Sequence, residues 1–257
     1  MDKILKTVKK INDSAEIGIV LGSGYRAAMP ALTNVHEVDY LSCGIPYTKV
    51  EGHERKFIFG DYNGKRILIF SRLHYYETGT TEYINLLYKV ISKLGVKTLI
   101  STTATGAVSG VKVGDIMVVT DHINLSGQCP LVGSKPIDFI ELNDCYSPSL
   151  IKLVKKLAKK ENIELKTGVH AQLIGPNYET PAEVKMLKIL GVNTVSMSPI
   201  LDMIMAKSLG MDILLLAGVG NEAGSKTTHK EVLELAAAIC GKVKVLLKDV
   251  LDELTKK

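Results

Sequence analysis

Ile67-Leu68-Ile69-Phe70-Ser71-Arg72-Leu73-His74-Tyr75-Tyr76-Glu77 reads as an apolar strand that runs straight into a chemistry-bearing segment. A short unbroken apolar run is the mark of a strand covered on both faces, as in sheets flanked by helices. Period-two alternation past the run turns Arg72 and His74 to one side. Ligands of α/β sheets gather at the carboxyl ends of strands. Arg72 offers a fixed donor fork for an oxyanion, and His74 a donor whose charge is tunable near neutral pH. Glu77 is close enough in sequence to orient that imidazole. The same residues also suit a salt-bridged surface arginine beside a packed histidine.

The strand-then-helix rhythm continues in both directions. Strands are predicted at 17–21, 56–59, 98–102, 116–120, 168–174, 194–197 and 213–219. Helices are predicted at 81–94, 149–160, 181–190, 200–209 and 230–254. Asn63-Gly64 suits a type I′ hairpin turn joining 56–59 to 67–70. Thr180-Pro181-Ala182-Glu183 and Thr228-His229-Lys230-Glu231 are capping boxes that open helices. After the second, Val232, Leu235, Ile239, Val243, Leu246, Val250 and Leu254 form one apolar stripe. No linker or repeat interrupts the pattern. The expectation is one α/β domain over 1–257, a mixed central sheet flanked by helices in an α/β/α sandwich. The stretch 127–148 reads as a long irregular loop, a common place for function.

Composition narrows the function classes. The chain has 257 residues, 46% of them hydrophobic, with 32 Lys+Arg against 27 Asp+Glu, a net charge of +5. The Lys152, Lys155, Lys156, Lys159, Lys160 run reads as a solvated helix face. No aromatics interleave with it, which argues against nucleic acid. The four cysteines form no C-x-x-C pair and no zinc-like cluster. No apolar run approaches the roughly 20 residues that span a bilayer, and the first residues lack a signal-peptide core. A cytoplasmic protein with no membrane, metal or nucleic-acid partner is expected.

Four further segments carry chemistry. Gly22-Ser23-Gly24 follows a strand, and its glycines and hydroxyl suit close approach to an anion. A plain strand-to-helix turn explains it as well. In Gly175-Pro176-Asn177-Tyr178-Glu179-Thr180, Glu179 sits just before a capped helix, where a solvated, dipole-stabilised carboxylate is also at home. Tyr178, Val195 and Met197 together can sandwich a flat heterocycle whose ring N–H Glu179 accepts. Ser198 adds a donor. Asn221, beyond the run 213–219, can both donate and accept, and its surroundings also have turn composition.

These residues jointly resemble the trimeric class of purine nucleoside phosphorylases, from about Gly22 to the last helix. The resemblance implies phosphorolysis of inosine, guanosine and their deoxy forms to free base and (deoxy)ribose 1-phosphate, in purine salvage. Phosphate is then the co-substrate and no cofactor is needed. It places phosphate among Ser23, Arg72, His74, the Ala104 backbone N–H and Ser198, with His53 a mobile partner. It places the base against Tyr178, Glu179, Val195, Met197 and Asn221, and the ribose beside Tyr76 and His229. It makes Asn221, Glu179 and His74 catalytic. Phe139 matches an aromatic that reaches a neighbouring subunit's site, which requires an oligomer, by implication a trimer. The Glu179/Asn221 pair resembles the 6-oxopurine variant, where 5′-methylthioadenosine phosphorylases carry Ser and Asp.

The chain departs from the family pattern in three places. It has Gly24-Tyr25-Arg26 for Gly-Leu-Gly, Thr103-Ala104-Thr105-Gly106-Ala107 for Asn-Ala-Ala-Gly-Gly, and Ser196-Met197-Ser198-Pro199-Ile200-Leu201-Asp202 for Gly-Met-Ser-Thr-Val-Pro-Glu. The segment from Asn221 to His229 is also short. These departures keep two other readings open: a nucleoside- or base-binding protein of this fold without turnover, and an enzyme like the 5′-methylthioadenosine phosphorylases.

Overall fold

The computed structural model describes residues 2–45, 54–134, 139–226 and 229–256, and side chains within these except those of 2–5 and 229–238. In chain order the elements are α1 (Asp2–Ile11), β1 (Ile17–Val20), a 3₁₀ turn (Arg26–Ala28), β2 (Thr33–Asp39), β3 (Lys56–Tyr62) and β4 (Lys65–Phe70). Then come α2 (Tyr75–Thr78), α3 (Glu82–Lys93), β5 (Thr98–Ala107), β6 (Ile116–Asn124), α4 (Pro148–Lys160) and β7 (Leu165–Gln172). The last five are α5 (Pro181–Ile189), β8 (Thr194–Ser196), α6 (Ile200–Ser208), β9 (Asp212–Glu222) and α7 (His229–Leu254).

The nine strands pair in the order β2-β3-β4-β1-β5-β8-β7-β6-β9, and β9 pairs again with β5. That last pairing closes β5, β8, β7, β6 and β9 into a ring, from which β1, β4, β3 and β2 extend as an open sheet. The sheet is mixed: β1/β4, β1/β5, β5/β9, β6/β7 and β7/β8 run parallel, the other pairs antiparallel. Closure explains why β5 and β9 outrun their apolar stretches. Thr102, Thr103 and Thr105 are buried, held as strand because β9 supplies a ladder along the whole of β5.

Two apolar layers cover the sheet. One packs Leu87 and Ile91 of α3 and Met203 of α6 against Phe57, Leu68 and Leu215. The other packs Val154 and Leu157 of α4 and the α7 stripe against Ile19, Ile69, Ile100 and Leu216. Of that stripe Ile239, Val243, Leu246 and Val250 are buried. Each such side chain contributes about 1.5–3 kcal/mol. Val232 and Leu235 lie outside the described side chains.

Local signals resolve as follows. Asn63 and Gly64 have φ of 49° and 77°, the two left-handed residues that a type I′ turn requires. The Thr180 box forms, with Glu183 N–H to Thr180 Oγ1 at 3.2 Å and Thr180 N–H to Glu183 Oε2 at 2.7 Å. Thr228, which opens the second box, lies outside the described residues. The pattern did not reveal α1, α2 or β2. Thr33, Asn34, Val35, His36 and Glu37 of β2 are exposed, so this edge strand has no apolar face to betray it. One close approach is absolute: a Cβ on Gly218 would lie 1.8 Å from the Tyr25 hydroxyl, which is buried beneath β9.

Candidate active site

A cleft opens at the carboxyl ends of β1, β4, β5 and β9, where β8 crosses. It is lined by Ser23, Arg72, His74, Tyr76, Ala104, Tyr178, Glu179, Val195, Met197, Ser198 and Asn221 together with Thr103, Thr105, Gly106 and Ser196. Eleven residues singled out in the sequence thus meet in one place, from segments spread between Ser23 and Asn221. Phe139 does not line the cleft, and its side chain is 94% exposed. His53 lies outside the described residues, as does the side chain of His229.

The anion end is built on two buried charge networks. The loop after β4 carries Arg72 into the interior, where Nε donates to Asp202 Oδ2 at 2.8 Å. Its Nη2 donates to Ser101 Oγ at 2.8 Å and to the Thr102 carbonyl at 3.3 Å. Behind His74, Glu77 Oε1 lies 2.5 Å from His74 Nδ1 and 2.5 Å from Arg55 Nη2. Arg55 also donates to the Arg72 carbonyl. Tyr76 stacks on His74 with ring centroids 4.8 Å apart and planes 19° apart.

Burial pushes the His74 imidazole down to about 4, against the pull of Glu77. Burial opposes the Glu77 charge, yet His74 and Arg55 hold its carboxyl below the usual range. A carboxylate only accepts, so His74 Nδ1 carries the proton and Nε2 of the neutral ring is an acceptor. The sequence left the charge of His74 open and expected a donor; with Nδ1 turned to Glu77 the neutral ring instead offers an acceptor. The Gly22-Ser23-Gly24 expectation is corrected in part. Ser23 lines the cleft, but the Gly22 N–H is bonded to Thr102 Oγ1 at 2.9 Å. A Cβ on Gly22 would lie 2.6 Å from the Thr102 carbonyl oxygen, so that glycine serves the β1–β5 contact.

At the other end Glu179 is buried ahead of the capped helix, and burial pushes its carboxyl up. Asn221 stands within β9, in register with Gly106 of β5, so it is a strand residue. Its Nδ2 donates to the Glu222 carbonyl at 3.0 Å. Val195 is buried, and Met197 and Tyr178 present apolar surface to the same space.

Three supporting residues escaped the sequence reading. Arg55 and Asp202 find their partners only in the folded chain, and no local pattern announces them. His170 lies in β7, with Nδ1 2.9 Å from Thr194 Oγ1 and Nε2 3.0 Å from Ser196 Oγ and 3.2 Å from the Ser198 carbonyl. It braces the turn that carries Ser198. Its signal was a buried polar alternation, His170 and Gln172, flanking Ala171 at the end of β7. Among the described residues no group of three or more His, Cys, Asp or Glu is arranged to hold a metal ion.

The two neutral imidazoles make stability depend on pH. His74 and His170 are each held at about 4 against 6.5 for an unperturbed histidine. The unfolded chain therefore takes up protons first, and stability is lost as pH falls from about 6.5 towards 4. Asp202, pushed up to about 6, opposes this by protonating first in the native state. Two imidazoles outweigh one carboxyl. The melting temperature is expected to fall steadily from pH 7 to 4, and less steeply in His170→Gln. A melting temperature that stays level across this range would refute it.

Comparison with known proteins agrees with this geometry. The pattern that defines the Phosphorylase superfamily matches residues 16–252. Purine nucleoside phosphorylase 1 of Bacillus subtilis is 33% identical over 242 residues, covering 90% of this chain and 89% of the relative. The purine nucleoside phosphorylase of Mycobacterium tuberculosis is 34% identical over 245 residues, covering 92% and 88%. The Schistosoma mansoni purine nucleoside phosphorylase crystallised with inosine superposes with a TM-score of 0.91 at 28% identity, over 100% of this chain and 98% of that one. With the sheet, the cleft and these relatives in agreement, the chain belongs to the phosphorylase superfamily.

Proposed function

We propose that this chain cleaves purine ribonucleosides and deoxyribonucleosides by phosphorolysis, with inosine and guanosine as substrates, as a step of purine salvage. The products are the free base and (deoxy)ribose 1-phosphate. One observation carries the reading: a single cleft is lined by Arg72, Ser23 and Ser198 and by Glu179 and Asn221, with Val195, Met197 and Tyr178 beside them, Arg72 being tied to Ser101 and Thr102 of β5 while Asn221 stands farther along that strand against Gly106. The relatives named above are themselves purine nucleoside phosphorylases.

The mechanism follows from what these groups do. Breaking a purine–ribose bond leaves positive charge on the sugar and negative charge on the base. Donors fixed where that charge develops lower the barrier most. Asn221 and Glu179 take this role. Asn221 addresses the N7 and 6-oxo edge, and Glu179 accepts from the N1 proton of a 6-oxopurine. Phosphate is held under the anomeric carbon by Arg72, Ser23, Ser198 and the Ala104 N–H, so much of its reactivity comes from positioning. His74 Nε2, an acceptor, receives the P–OH of hydrogen phosphate. Tyr76 lines the ribose side of the cleft, and the family resemblance assigns His229 to the ribose and His53 to the phosphate. Phosphate is the co-substrate, and no metal or organic cofactor enters.

The working form is a homotrimer, in which Phe139 leaves water by reaching a neighbouring copy's site. Light scattering that returns a single-chain mass would sink that part. The enzyme acts in the cytoplasm, in keeping with four free cysteines and with no described helix long and apolar enough to cross a membrane. The central test is incubation with inosine, with and without phosphate. Hypoxanthine is expected only when phosphate is present. Cleavage without phosphate would mean hydrolysis, and no cleavage of inosine or guanosine would overturn the function.

A further inference from the structure

Asp202 stands close to the cleft yet lines none of it, and the reaction above gives it no role. It lies in the first turn of α6, buried, with Oδ2 on Arg72 Nε at 2.8 Å. A guanidinium carries five N–H groups. In Arg72 the one on Nε goes to Asp202, and those on Nη2 go to Ser101 Oγ and the Thr102 carbonyl. The pair on Nη1 has no partner among the described residues, while Arg72 lines the cleft. Three tethers, one from α6 and two from β5, leave the side chain one orientation, and that orientation reserves one nitrogen.

We propose that Asp202 is a positioning residue for the anionic co-substrate: by clamping Nε it presents the Nη1 edge of Arg72 to phosphate. This rests on the phosphorolytic reading. The charges of the neighbourhood sharpen the claim. Asp202 offsets Arg72, Glu77 offsets Arg55, and His74 is neutral. The anion end is therefore close to formally neutral apart from backbone and hydroxyl dipoles. It holds phosphate by direction rather than by excess cation. Coulomb attraction alone demands that removing the Asp202 charge tighten phosphate binding. Positioning demands that it weaken binding, because an unclamped guanidinium must be ordered anew each time an anion enters.

The experiment sets these opposite signs against each other. The KM for phosphate at saturating inosine and the KM for inosine at saturating phosphate are measured for wild type, Asp202→Asn and Ser101→Ala. In Asp202→Asn the phosphate KM is expected to rise roughly ten- to a hundred-fold, the loss of one charge-assisted hydrogen bond. The inosine KM should stay within about two-fold, the split that separates positioning from general damage. Ser101→Ala, which removes the neutral tether and no charge, should move the phosphate KM the same way by a smaller factor. The rise in melting temperature caused by inorganic phosphate needs no turnover, and it should require correspondingly more phosphate in both variants. A phosphate KM unchanged or lowered in folded Asp202→Asn overturns the proposal. If circular dichroism finds that variant unfolded, Ser101→Ala decides, and an unchanged phosphate KM there overturns it. A wild type stabilised by phosphate that leaves inosine intact overturns the proposed function instead, and the melting series then judges Asp202 by itself.

Discussion

Asn221→Ala is expected to lower kcat for inosine by roughly a hundred- to a thousand-fold, the usual cost of deleting one donor to a developing anion. The KM for phosphate should change little, because Asn221 and Arg72 serve opposite ends of the cleft. Asn221→Asp extends the test to specificity. A 6-oxo group accepts, and an aspartate repels it. A 6-amino group donates, and an aspartate receives it. An unmatched buried polar contact costs about 1–3 kcal/mol, so the adenosine-to-inosine ratio of kcat/KM should rise roughly ten- to a hundred-fold. Two features limit the shift. Glu179 still favours bases with an N1 proton, and a carboxylate at 221 would face the Glu222 carbonyl that Asn221 Nδ2 now satisfies at 3.0 Å. The preference should relax without fully reversing. A ratio equal to wild type would show that Asn221 is only a strand residue.

Gly218→Ala is expected to cost about 3 kcal/mol or more, among the largest losses a single methyl can cause by overpacking. Its Cβ would lie 1.8 Å from the Tyr25 hydroxyl and 2.9 Å from the ring carbon that bears it. Neither β9 nor the buried ring has room to retreat. Tyr25→Phe removes the closer atom. That hydroxyl is buried with no hydrogen-bond partner among the described residues, so the single change should be neutral or stabilising by about 1 kcal/mol. In the Tyr25→Phe background the alanine should cost measurably less, because the two positions share a contact. Urea denaturation of all four proteins gives the coupling. Additive losses would mean that Tyr25 is not what excludes a side chain at 218.

What the sequence made legible tracks how local each cause is. Arg72 and His74 were readable because one strand end places both. Glu179 was readable because the Thr180 cap fixes the chain behind it. The α7 stripe was readable because a helix face repeats within four residues. Asn221 was placed near the right strand end, but its turn-like neighbours concealed that β9 continues through it. The cause of that continuation is β5, more than a hundred residues earlier. The charge state of His74 stayed open in the sequence for the same reason. An isolated His–Glu pair titrates near neutrality, whereas burial beneath Tyr76 and beside Arg55 and Arg72 does not leave it there. Asp202 announced itself only as a departure from a family motif. Its partner lies 130 residues away, and nothing in its own surroundings names an arginine.

The closed ring of strands has a consequence for how the protein comes into being. β5 is made early, but one of its edges waits for β9, so the ring cannot shut until residues 212–222 have left the ribosome. Until then the buried threonines of β5 have an unpaired ladder beside them, and Asn221 does not exist to complete the cleft. Pairings so far apart in sequence form late and slowly. A nascent chain halted before residue 212 should therefore hold its early helices and the β2-β3-β4-β1 sheet, and bind no nucleoside.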